Sequence, residues 1–308
     1  MRDAFVNQLT RLARNDPDVM FLTGDLGFGV FDNFAKEFPN QYLNVGVAEQ
    51  NMTGIAAGLG LEGKKVFTYS IANFSTLRCL EQIRNDAAYH EVNLTVVSSG
   101  GGFTYGALGM SHHATEDIAI MRALPDITVL APSTAWETYY ATKEIVKKNG
   151  VGYLRIEKGG IKEPAQMDIK FKIGKSIEME SGKDLTIISC GRIIEECLEA
   201  AQMLKKRGIT ANVVSMHTIK PIDVKSILHY ANKTNNIITV EEHNKSGGLG
   251  SAVSEVLTDN FSSCKLLRIA LEDKYSSIVG SQDYLRSIYK LNASEIAKKS
   301  IELIETNR

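Results

Sequence analysis

Short β-branched runs alternate with longer helical patterns along nearly the whole chain. That alternation confines it to folds built on parallel sheets, because parallel strands need a crossover, usually helical, between them. The strand-like runs are DVMFLTGDLG (18–27), NVGV (44–47), KKVFTYSI (64–71), NLTVVSS (93–99) and ITVLAPS, followed in the second half by DLTIISCG, ITANVVSM and NIITVEEH. Between them, residues 2–14 carry Ala4, Phe5, Leu9, Leu12 and Ala13 near helical spacing. EQNMTGIAAGLGLEG, STLRCLEQIRNDAAYH, TEDIAIMRAL and STAWETYYATKEIVKKNG also read as helices, the last ended by Gly150. RIIEECLEAAQMLKKRG, 221–232 and GSAVSEVLTDN continue the pattern. It breaks over 159–182, where Gly-flanked segments around Pro164 read as a linker followed by a small β-hairpin. The expected fold is α/β, with two successive parallel-sheet domains over 1–165 and 166–308, in keeping with about 150 residues per domain.

Charge and thiol content narrow the function classes. Thirty-five Lys+Arg against 36 Asp+Glu leave a net charge of -1, so no basic excess exists to gather nucleic acid or anionic lipid. No apolar run approaches the roughly 18 residues of a membrane span, and MRDAFVNQLTRLARND, with Asp3 inside it, does not have the pattern of a signal peptide. The four cysteines, Cys79, Cys190, Cys197 and Cys264, form no CxxC pair; a cytoplasmic protein with reduced thiols is expected.

Open α/β sheets bind ligands at the carboxyl ends of their strands. Four segments occupy such positions: GDLGFG (24–29), VGVAEQNM (45–52), SSGGGFTYGALGMSHH (98–113) and EEHNKSGGLGSA (241–252). Glu49 falls where a strand gives way to a helix, among Val45, Val47, Ala48, Met52 and Ile55. It reads either as a helix N-terminal charge favoured by the macrodipole, or as a buried acid able to give up a proton near neutral pH. His112 and His113 are adjacent and point in different directions; no third ligand lies at metal-binding spacing. GDLGFG lacks both GxGxxG and the GxxxxGK[ST] lysine. GGLG (247–250) before a helix could take an anion or simply allow tight packing, the latter being preferred.

VGVAEQNMTGIAAGLGLEG, TLRCLEQIRNDAAY, SHHATEDIAIMRALPDITVLAPS, SMHTIKPID and EEHNKSGGLGSAVSE occur in an order that resembles the transketolases, over their pyrimidine-binding and C-terminal domains. The resemblance covers essentially the whole chain; related architectures are 1-deoxyxylulose-5-phosphate synthase and the β subunits of 2-oxo-acid dehydrogenases. It implies that Glu49 bonds the aminopyrimidine ring of thiamine diphosphate and promotes the imino tautomer that takes the thiazolium proton. It further implies that Asp25 lies near the cofactor across a subunit interface, that Phe74 stacks on the pyrimidine, that Arg78 contacts the cofactor, and that His112 contacts substrate hydroxyls. Arg2 matches a phosphate-contacting arginine. Three positions depart from the family: Leu108 stands where an aspartate reads sugar stereochemistry, Gly100 where a histidine is expected, and Lys158 where an arginine grips the acceptor phosphate. Lysine offers a point charge without the bidentate fork, so a specialised acceptor is expected, with Gly100 opening space for it.

The family's GDG…NN motif for diphosphate and metal does not occur in the chain. The resemblance therefore implies half of a split transketolase, inactive alone. A partner N-terminal subunit carrying GDG…NN would hold the diphosphate and Mg2+ (or Ca2+), in an α2β2 heterotetramer acting on sugars or sugar phosphates. The alternative is a β subunit of a 2-oxo-acid decarboxylating complex.

Overall fold

A computed structural model of the chain describes residues 1–159, 161 and 169–305. The first half supplies β1 (Val19–Thr23), β2 (Tyr42–Asn44), β3 (Lys65–Ile71), β4 (Leu94–Ser99), β5 (Thr128–Leu130) and β6 (Gly152–Ile156). The second supplies β7 (Ile177–Glu180), β8 (Leu185–Ser189), β9 (Ala211–Ser215), β10 (Thr218–Lys220), β11 (Asn236–Asn244) and β12 (Lys265–Leu271). Two sheets result, ordered β10-β5-β6-β4-β3-β1-β2 and β12-β11-β8-β9-β7. Pairing is parallel except at β10 with β5 and at β7 with β9.

Strand periodicity explains how the sheets are covered. On the first sheet Phe21, Phe67, Val97 and Leu154 enter one core, while their neighbours Leu22, Val66, Val96 and Tyr153 enter another. The first core is closed by α1 (Arg2–Asn15) through Phe5, Leu9 and Ala13 and, beyond α2 (Asp32–Glu37), by α7 (Ala135–Ile145). The second takes Met52, Ala56 and Ala57 from α3 (Glu49–Leu61), and Ile118 and Met121 from α6 (Asp117–Ala123). It continues without a break into Ile227 of α9 (Val224–Thr234) and Leu249 and Val253 of α10 (Leu249–Asp259). The far face of the second sheet packs on α8 (Ile194–Lys205) and α12 (Ala293–Glu305), with α11 (Gln282–Ile288) beside them. Each fully buried Phe, Leu or Ile contributes about 1.5–3 kcal/mol, and one shared core makes the two units a single packed body. No helix among the described residues is long and apolar enough to cross a membrane.

Two expectations change. The helix expected over STLRCLEQIRNDAAYH is broken into α4 (Ala72–Thr76), α5 (Leu80–Gln82) and a π-helical turn over Ile83–Ala88. Ser75 and Thr76 return their hydroxyls to the carbonyls of Ile71 and Ala72 within α4. The expected hairpin over 159–182 is, within the described residues, the single strand β7 paired with β9. The boundary at 165 and Pro164 lie outside the described residues; a division near there is nonetheless crossed by β10, which leaves the second unit to complete the first sheet.

Candidate active site

The carboxyl ends of β4, β3, β1 and β2, adjacent in the sheet, place four loops side by side. Glu49 is the first residue of α3, its side chain 2% exposed. Its carboxylate accepts from Arg78 Nη1 at 2.7 Å and lies 3.4 Å from Ser70 Oγ at the end of β3. The residue begins a helix, as one sequence reading has it, and its side chain is buried. The guanidinium of Arg78 lies 4.7 Å from the centre of the Phe74 ring, a cation–π contact. Phe74 also meets the His112 ring, 5.1 Å away at 67°. Ser111 holds this arrangement twice, accepting from Asn73 Nδ2 at 3.1 Å through its carbonyl and meeting His112 Nδ1 at 3.0 Å through its hydroxyl. Glu49, Arg78, Phe74 and His112 thus form one connected group. Cys79, buried beside it, has its thiol pushed up by burial, so it stays protonated.

Asp25 takes a left-handed backbone, φ 55°, and exchanges two 3.0 Å hydrogen bonds with Asn44: its amide donates to Oδ1 and its Oδ1 accepts from Nδ2. The pair ties the ends of β1 and β2 next to Glu49. His113 turns the other way from His112, buried against Phe103 with Nε2 3.3 Å from the Gly106 carbonyl. The two histidines diverge, as expected.

Arg2 and Lys158 come together although 156 positions separate them, lining a cleft of about 440 Å3 with Met1, Asp3, Ala135 and Gly159. Lys158 Nζ sits 4.6 Å above the Tyr105 ring, whose hydroxyl is 3.2 Å from Ser99 Oγ. Tyr105 also corrects the expectation for Gly100. A Cβ at Gly100 would come within 2.2 Å of the Tyr105 ring, and its φ is +89°. The glycine opens no room for a bulky ligand; Tyr105 already fills it. Leu108 stands apart from the Glu49 group on an exposed 3-10 turn, Gly106–Leu108, near the equally exposed Met110.

Ser70, Asn44 and Tyr105 were not singled out from the sequence. Asn44 directly precedes VGVAEQ at a strand end, a usable signal; the contacts of Ser70 and Tyr105 arise only from the fold. At the second sheet, GGLG does receive an anion, but an internal one. Glu241 accepts from Leu249 N at 2.7 Å and Gly250 N at 2.8 Å, filling the α10 N-terminus.

A family model described as "Transketolase, pyrimidine binding domain" matches residues 1–162, and one described as "Transketolase, C-terminal domain" matches residues 174–296. The chain is 37% identical over 306 residues to one of the subunits of the apulose-4-phosphate transketolase of Phocaeicola vulgatus, covering 99% of this chain and 97% of that protein. It is 40% identical over 305 residues to the "Putative transketolase C-terminal section" of Methanocaldococcus jannaschii, covering 98% and 95%. Among solved structures it superposes on "Split gene transketolase, inactive beta4 tetramer" with a TM-score of 0.91 and 34% identity, covering 100% of this chain and 99% of the other.

Proposed function

Because the chain belongs to the transketolase family through both of its domains, we propose that it is the C-terminal subunit of a split transketolase, which moves a two-carbon ketol unit between sugars together with an N-terminal partner. The observation that carries this reading is the buried Glu49 carboxylate, joined through Arg78 and Phe74 to His112 at the carboxyl ends of β1 to β4.

Thiamine diphosphate, when bound, supplies an electron sink for breaking the bond beside a ketose carbonyl. The residues fit its pyrimidine end: Glu49 offers a buried carboxylate, Phe74 a half-buried ring face, Arg78 a fixed charge, and Asp25 a held carboxylate nearby. Glu49 would hold and exchange a proton at its carboxylate oxygens. Arg78 fixes the orientation of that carboxylate, and its burial limits competing water. His112, steadied by Ser111 and Phe74, would meet substrate hydroxyls. Arg2 and Lys158 give their cleft positive charge suited to an anionic acceptor end. Leu108 supplies an apolar rim where a hydroxyl-reading aspartate is otherwise expected.

GDG does not occur in this sequence, so the reading assigns the diphosphate and Mg2+ (or Ca2+) to the partner, in an α2β2 assembly. The similar split protein whose β-only tetramer is described as inactive supports the need for that partner. Calorimetry on the chain alone is expected to show weak or no binding of thiamine diphosphate with magnesium; tight binding would contradict the division of labour. Co-expressed with its partner, the chain should transfer ketol units from xylulose 5-phosphate. Decarboxylation of pyruvate or branched 2-oxo acids without ketol transfer would place it instead in a 2-oxo-acid complex.

A further inference from the structure

The loop that carries Leu108 and His112 belongs to the first unit, yet its base rests on the second. Gly102 and Ala114 close that base with a pair of hydrogen bonds of 2.8 and 3.0 Å. At the base, Phe103 N donates to Glu242 Oε1, from β11, at 2.5 Å. Glu242 is itself held on every side: Gln282 Nε2 donates to Oε1 at 2.9 Å, the Arg286 guanidinium pairs with Oε2, and Arg155 Nη2 donates to its carbonyl at 3.1 Å. Glu242 and Arg286 are 3% and 1% exposed, so neither keeps water as an alternative partner.

The glycines record how closely the loop is seated. A Cβ at Gly101 would come within 1.6 Å of Arg155, and one at Gly102, whose φ is +58°, within 2.4 Å of Glu242 Oε1. Further along, a Cβ at Gly106 would meet the Gly280 carbonyl at 2.6 Å and Leu285 at 2.5 Å. Phe103 stacks on Tyr289 at 5.3 Å and 21°. Backbone hydrogen bonds carry this seating forward to the site: Gly106 N to Phe103 O at 2.8 Å, Gly109 N to Gly106 O at 3.3 Å, and His112 N to Gly109 O at 2.9 Å.

We propose that Glu242, oriented by Arg286, is a positioning residue: it fixes the loop from the second unit and so sets where His112 stands relative to Phe74. The proposal rests on the transketolase reading of the Glu49 group. It gives the second unit a part in the reaction although none of its side chains belongs to that group. A displacement of about 1 Å at a substrate-aligning group can cost on the order of 10²-fold, so releasing the clamp should act on acceptor turnover and spare the Glu49 end.

The test compares two double variants in the complex with the partner chain. Glu242→Gln with Arg286→Met removes the charges of this pair but keeps an amide oxygen for Phe103 N. Glu242→Leu with Arg286→Met removes that acceptor as well. Both should melt within a few degrees of each other and show wild-type deuterium exchange at the thiazolium carbon. Only the Leu variant should lose about 10-fold or more in kcat/KM for ribose 5-phosphate, with faster amide exchange over 103–112. Equal acceptor kinetics and equal amide exchange in the two would overturn the proposal. Should the Leu variant fail to fold, Glu242→Asp serves: it keeps the charge for Arg286 and withdraws the carboxylate from Phe103 N. It should raise the acceptor KM and loosen 103–112, and wild-type values of both would equally overturn the proposal. Absence of thiazolium exchange in the wild-type complex is a different failure, that of the transketolase reading, and leaves amide exchange over 103–112 to decide the clamp.

Discussion

Each unit holds a buried carboxylate at the start of a helix, Glu49 on α3 and Glu241 against α10, and the two are held by different kinds of donor. Glu241 gives one oxygen to Leu249 N and the other to Gly250 N, and a Cβ at Gly248 would come within 2.1 Å of it. Both of its oxygens are engaged by the helix that follows. Glu49 begins its helix rather than capping it from below, and its partners are side chains, Ser70 and the half-exposed Arg78. Each carboxylate takes one bond on each oxygen; the difference lies in the donors, since a half-exposed side chain such as Arg78 can swing aside for another partner and the backbone amides of a packed helix cannot. Shared topology therefore does not by itself make a carboxylate available.

The strongest way to break this contrast is Glu49→Gln in the reconstituted enzyme. Exchange at the thiazolium carbon should slow by about 10²-fold or more, the usual scale for an acid–base contact, with the melting temperature little changed. A wild-type exchange rate would give Glu49 another job. The matching change is Glu241→Ala, which leaves two buried amides without acceptors and should cost about 1–3 kcal/mol in urea unfolding while thiazolium exchange stays normal. If exchange collapses there too, the two carboxylates are not different in kind.

A smaller effect is expected at the rim. Leu108→Asp should shift kcat/KM between ribose 5-phosphate and deoxy sugars several-fold in favour of the hydroxylated one, because an added acceptor discriminates by the bond it makes. No change in that ratio would remove Leu108 from acceptor selection.

The smallest effect contrasts the site with a buried acid that has no part in it. Glu137 in α7 accepts from Ser133 N at 2.5 Å, and burial pushes its carboxyl from an ordinary 4.5 up to about 7. The folded state then holds a proton that the unfolded state releases. Its contribution to stability is thus largest below about pH 4.5 and declines as pH rises through about 7. Glu137→Gln should flatten that part of the profile, a difference of a few degrees in Tm between pH 5 and 8. An unchanged slope would show that Glu137 is ionised throughout.

The alternation of strands and helices was legible because period and propensity are local, and so was Glu49, which stands at a strand-to-helix junction in plain view. Gly100 was misread because a glycine announces freedom without naming what occupies the space; Tyr105 does, five residues on. The break after Thr76 leaves no mark in the helical periodicity of this segment. Glu242 and Arg286, 44 positions apart, meet Phe103 only through the fold, and no spacing rule joins three such positions.

The strand β10 sets an order of events during synthesis. When Ile156 has emerged from the ribosome, β1 to β6 are all available, but β5 still presents an unpaired edge, since its neighbour is Thr218–Lys220. At about 5–20 residues per second, that edge waits roughly 3–12 s for its cover. Unpaired edges recruit other chains, so the nascent first unit passes through an interval in which this edge is open to such pairing. Separating the two units at the gene level would make that interval permanent for the first.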